Sequence, residues 1–79
     1  MTTRTICSTR IVLAYKAKAV QGLYTLLHFE ASDGSWIQVP LDKCSDIVFC
    51  PSESEPFVRG ASLRELESTI LTHMDARGI

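Results

Sequence analysis

The stretch "HFEASDGSWIQV", His28 to Val39, decides how this chain is read. Apolar residues alternate on both sides of Ser32-Asp33-Gly34, so two strands meet at a tight turn, and the length of that turn sets which side chains share a face. A three-residue loop, a type I turn followed by a left-handed glycine, places Phe29 opposite Ile37 and Leu27 opposite Val39. A two-residue turn at Asp33-Gly34 instead sets Phe29 against Gln38 and Ile37 against Glu30. The first register gathers the apolar side chains on one side of the sheet and is preferred for that reason.

"AVQG", ending at Gly22, repeats the same punctuation. A loop Val20-Gln21-Gly22 puts Tyr15 opposite Leu27 and Leu13 opposite Phe29, giving strands over about 9–19, 23–31 and 35–41. Their shared inner face holds Ile11, Leu13, Tyr15, Leu23, Leu27, Phe29, Ile37, Val39 and Leu41. "DIVFCP" reads as a fourth strand over about 46–50, stopped by Pro51. "PSESEP" reads as a loop, after which Phe57 and Val58 fold back on the core.

The last segment, "GASLRELESTILTHMDARGI", predicts a helix over about 62–77. Ser62 and Glu65 have capping-box spacing, Leu63, Leu66, Ile70 and Met74 fall along one stripe, and Gly78 supplies the stop. The expected architecture is α+β: one domain over residues 1–79, an antiparallel sheet of about four strands in ββββα order, with the C-terminal helix packed on one face.

At 79 residues the chain is too short for two domains, and a chain of this size buries roughly 60% of its unfolded surface. With 46% hydrophobic and 22% charged residues, it has globular rather than disordered composition. No apolar run spans a bilayer and no signal peptide is evident, so a cytoplasmic protein is expected. Cys7, Cys44 and Cys50 are odd in number and lack paired metal-ligand spacing, which favours reduced thiols over a disulfide or zinc framework.

One helix covers one sheet face. In the bulged register the opposite face carries Val12, Ala14, Lys16, Lys18, Tyr24, Leu26, His28, Glu30, Trp36 and Gln38. Trp36, the single tryptophan, is expected to point outward among Tyr24, Leu26 and His28, with Glu30 and Gln38 beside it. Tryptophan and tyrosine provide large contact areas at low entropy cost, so this set is the candidate protein-binding surface. The competing reading has Trp36 merely shielding the turn or a neighbouring strand.

Charge is unevenly divided: Arg4, Arg10, Lys16 and Lys18 precede the first acidic residue, and the rest of the chain carries four basic and nine acidic side chains. Arg10, Lys16 and Lys18 beside Tyr24 and Trp36 would make a small basic and aromatic surface for nucleic acid. The overall net charge of −1 counts against that alternative, and lysines on an edge strand also serve to prevent sheet-to-sheet aggregation.

Two histidines, His28 and His73, are too few for a self-contained metal site, and no cofactor or metal is expected. His73 is expected to border the helix's buried stripe. Cys50 and His28 could approach across the sheet, yet a buried strand cysteine usually packs as a small hydrophobe. The four glycines stand singly, so no phosphate loop is present. These features predict a non-enzymatic interaction module: a small adaptor or inhibitor that docks on a larger protein, or on its own copy as a homodimer. Chains of this size are often encoded by phages and other mobile elements to block host machinery.

Overall fold

A computed structural model describes residues 8–19, 25–42 and 45–79. Among these residues the sheet has five antiparallel strands, β1 Lys16–Lys18, β2 Leu26–Glu30, β3 Trp36–Pro40, β4 Ile47–Cys50 and β5 Val58–Gly60, arranged in chain order. Two helices, α1 Thr9–Ala14 and α2 Leu63–Arg77, complete a small α+β domain. The sheet thus has one strand more than expected, because Val58 continues into a short edge strand beside β4.

The β2–β3 hairpin takes the three-residue loop. Phe29 pairs with Ile37 and Leu27 with Val39, and the turn closes by Ala31 N–H to Ser35 C=O at 2.9 Å and Gly34 N–H to Ala31 C=O at 3.1 Å. Gly34 has φ of 93°, a conformation costly for any residue with a Cβ.

The N-terminal segment differs from the strand expected over 9–19. Residues 9–14 form a helix that starts at Ser8, whose hydroxyl accepts from the Ile11 N–H. Ile11 and Tyr15, four residues apart, turn together into the core. Val12 and Leu13, at 57% and 65% exposure, face solvent, and Ala14 packs at the margin of the core. Arg10 fastens α1 to the end of α2 through Asp75 at 2.9 Å and the Ile79 carbonyl at 3.2 Å.

Among the described residues the chain enters the sheet after α1, with Ala17 opposite Phe29 and the lysines opposite Glu30 and His28. This register is displaced by four residues from the expected one. An even displacement preserves the pleat, so Lys16 and Lys18 still stand on the face of His28 and Glu30. The expected loop Val20-Gln21-Gly22, together with Leu23, Tyr24, Cys7, Cys44 and Arg4, lies outside the described residues.

The core lies between the sheet's inner face and the helices. Ile37 and Phe49 from the sheet meet Leu66, Ile70 and Met74 of α2 and Ile11 of α1. The inner face is not covered along its full length: Leu27 and Leu41, expected inside, are 47% and 56% exposed. Between α1, the sheet and the start of α2 remains an apolar cavity of about 160 Å³, bordered by Ile11, Tyr15, Phe29 and Leu63.

The second helix follows its sequence signals. The Ser62 hydroxyl accepts from Glu65 N–H, the Glu65 carboxylate accepts from Ala61 N–H at 3.1 Å, and Gly78 ends the helix in the left-handed region. Its first turn lies so close to β5 that a Cβ on Gly60 would stand 2.9 Å from Leu66 Cγ. Because Leu66 is itself buried, Gly60→Ala should cost about 1–3 kcal/mol by overpacking. Urea denaturation checks this; a variant as stable as the parent would mean that α2 slides freely on β5.

Candidate functional site: the outer sheet face

Both helices pack on the inner face, leaving the outer face uncovered among the described residues. The registers place Lys16, Glu30, Trp36 and Cys50 in one cross-strand row and Lys18, His28, Gln38, Val48 and Arg59 in the next. Of the expected contact residues, Leu26, His28, Glu30, Trp36 and Gln38 therefore come together, and Tyr24 lies outside the described set.

Trp36 does face outward, yet it is half-buried rather than bare. The His28 ring lies 5.5 Å away on one side and the Phe57 ring 5.4 Å away, edge to face. Phe57 was expected on the core; alternation along β5 turns Val58 inward and leaves Phe57 54% exposed on the outer side. The same alternation, applied to "PFVRG", would have found it in the sequence.

A line of polar groups runs beside the aromatics. The Gln38 amide nitrogen lies 3.1 Å from His28 Nδ1, and His28 Nε2 lies 3.3 Å from Glu30 Oε1. Gln38 donates to Nδ1, so the neutral ring carries its proton on Nε2 and passes a second hydrogen bond to Glu30. These two contacts hold the imidazole against Trp36. Next to this line opens a shallow groove of about 470 Å³, bordered by Leu26, Gln38, Pro40, Asp46, Val48 and Arg59.

Basic residues divide between two places. Lys16 and Lys18 are exposed at the β1 edge, but Arg10 sits on α1 and is paired with Asp75. The expected trio Arg10, Lys16 and Lys18 is not one surface, because the helix carries Arg10 to the opposite side of the domain from the outer face.

Cys50 and His28 are separated by β3, with Trp36 paired to Cys50 and stacked near His28. The Cys50 thiol is buried and donates to the Ser52 carbonyl at 3.3 Å. No helix among the described residues is long and apolar enough to cross a membrane, and no group of three potential metal ligands occurs among them.

A second polar cluster, not expected from the sequence, ties the hairpin tip to α2. Asp33 accepts from Ser35 N–H at 3.0 Å, from the Ser35 hydroxyl at 2.6 Å and from His73 Nε2 at 2.8 Å. Ser35, fully buried, also meets the Tyr15 hydroxyl at 2.7 Å. Burial pushes the Asp33 carboxyl up, but the Ser35 and His73 hydrogen bonds outweigh it and hold the group below its ordinary value of 3.8. Burial pushes the Tyr15 hydroxyl up, against the lowering effect of Ser35.

Serine, aspartate and histidine here do not form a nucleophile and its base. Hydroxyl and imidazole both converge on the carboxylate, whereas an activated serine needs the imidazole against the hydroxyl. His73 also stands edge-on to Phe49, 5.5 Å between ring centres, so it borders the core as its place on the helix suggested. No protein-family model, curated protein or solved structure matches this chain.

Proposed function

We propose that this chain is a non-enzymatic protein-interaction module, an adaptor or inhibitor, that docks a larger protein through its outer sheet face. The observation carrying this reading is Trp36, a large ring held between His28 and Phe57 on a face that neither helix covers. A flanked, partly desolvated tryptophan is pre-ordered, so a partner that finishes its burial loses little side-chain entropy. Gln38 and Arg59, at the adjoining groove, supply polar contacts around that anchor. Occupying a surface of host machinery, as small phage proteins do, is the inhibitor form of this reading, with a cytoplasmic setting in which the Cys50 thiol stays reduced.

Affinity capture from bacterial lysate, with and without nuclease, tests it, wild type beside Trp36→Ala. The expected result is a nuclease-resistant partner, identified by mass spectrometry, whose retention falls by about 30-fold or more in the variant, the scale of a hot-spot truncation. Circular dichroism of the two proteins should coincide. Retention that survives Trp36→Ala would remove the outer face from the mechanism, and retention that vanishes with nuclease would transfer the reading to nucleic acid held by Lys16 and Lys18.

A further inference from the structure

One edge of the sheet, the strand β1, carries an inference separate from the outer face. Among the described residues β1 has one neighbour, β2, and all three of its residues are exposed. An edge strand presents alternate backbone N–H and C=O groups outward, ready to pair with another extended chain. Lys16 and Lys18 lie on one face of that edge, with Ala17 between them on the other. Neither lysine is in an ion pair among the described residues. A shallow trough of about 400 Å³ beside the strand adds apolar surface from Leu13, Ala31 and Ile79. Glu30, the carboxylate bordering that trough, is turned toward His28.

From this arrangement we infer that the β1 edge receives an extended acidic segment of a partner protein as an added antiparallel strand. Strand geometry repeats every two residues, so carboxylates at alternate positions of the incoming segment meet Lys16 and Lys18 while the residue between them falls opposite Ala17.

A second copy of this chain is a poor occupant. Two-fold pairing of β1 with itself, in the register that matches all three residues, sets Lys16 against Lys18 twice, and like charges directly opposite are destabilising. Nor does the chain offer its own acidic pair in extended form: Glu53 and Glu55 sit in a turn closed by Glu55 N–H to Ser52 C=O at 3.3 Å. A nucleic-acid strand satisfies the lysines but has no peptide groups with which to continue the ladder.

Fluorescence anisotropy with a short labelled peptide of alternating glutamate and valine tests this. Saturable binding is expected, weakened about tenfold by Lys16→Gln with Lys18→Gln, the combined effect of two cross-strand charge pairs. It should be lost with a peptide methylated at its backbone nitrogens, or with lysine in place of glutamate, which keeps the test independent of how the variant folds. Arg64→Gln, an exposed charge on α2, should leave it unchanged, and because no variant in the test alters Trp36, failure of the outer-face proposal does not count against the edge. Equal binding of the methylated peptide, displacement by oligothymidylate at comparable concentration, a dimer that excludes the peptide, or no saturable binding would each overturn the inference.

Discussion

Phe49→Ala should take away a large share of the domain's stability. Phe49 is completely buried and sits at the meeting point of the layers, its ring edge-on to Tyr15 at 6.3 Å and to His73 at 5.5 Å. Truncating a buried phenylalanine costs about 3–5 kcal/mol, the transfer free energy of the lost atoms plus the cavity they leave. A domain of this length has a total stability of roughly 4–12 kcal/mol, so the loss is most of the margin at the lower end. Phe57→Ala provides the contrast: its half-exposed ring rests on Trp36, and removing it should cost only about 1 kcal/mol. Urea denaturation of the three proteins measures both. A Phe49→Ala loss as small as that of Phe57→Ala would mean that the core is not organised around the β4 ring.

The second large effect concerns the hairpin tip. Asp33→Ala deletes the common acceptor of Ser35 and His73, leaving a buried hydroxyl with Tyr15 alone and a nearly buried imidazole N–H unsatisfied. A loss of about 3 kcal/mol is expected, since a buried donor stripped of its partner carries the full desolvation penalty. Asp33→Asn keeps the shape and one acceptor oxygen, and should lose less.

The charge of Asp33 adds a pH dependence of definite sign. Its folded pKa is lowered, so the native state binds this proton less readily than the unfolded chain does. The stability it contributes is therefore fully present above the ordinary value of 3.8 and drains away as pH falls through the lower folded value. Stability measured from neutral pH down to pH about 2 should fall more steeply in the parent than in Asp33→Asn, which has no such proton to take up. Parallel curves would show that other carboxylates dominate the acid limb.

The parts of the fold legible in the sequence are those whose signals are local and mutually consistent. The β2–β3 register followed from apolar parity around Ser32-Asp33-Gly34, and α2 from Ser62, Glu65, Gly78 and the stripe between them. The first segment was misread because Ile11 and Tyr15 are four apart: that spacing puts them on one side of a strand and on one side of a helix alike. Leu13, midway between them, is the residue that discriminates. A strand points it inward with its neighbours and a helix points it away, and it is exposed. What favours the helix is the Ser8 cap and the distant Asp75 that receives Arg10, of which only the cap is written nearby.

The candidate face was legible for the same reason that the first strand was not. Lys16, Lys18, His28, Glu30, Trp36 and Gln38 share a side in any register of the correct parity, so a displacement of four residues left their grouping intact. The Asp33–Ser35–His73 cluster was invisible because it joins residues 40 positions apart through side chains that each have an ordinary local role, turn former, turn partner and helix surface. No periodicity announces such a meeting.

The arrangement of the five strands in chain order shapes how the molecule comes together. Each sheet pairing closes a loop between consecutive strands, a small entropic cost, so the meander can zip strand by strand. Helix α1 is different: its six residues are too few to persist alone, and its ties, Arg10 to Asp75 and Tyr15 to Ser35, reach far along the chain. Ile11 forms part of the wall of the apolar cavity beside Leu63 and Phe29, so these distant ties also keep that wall in place.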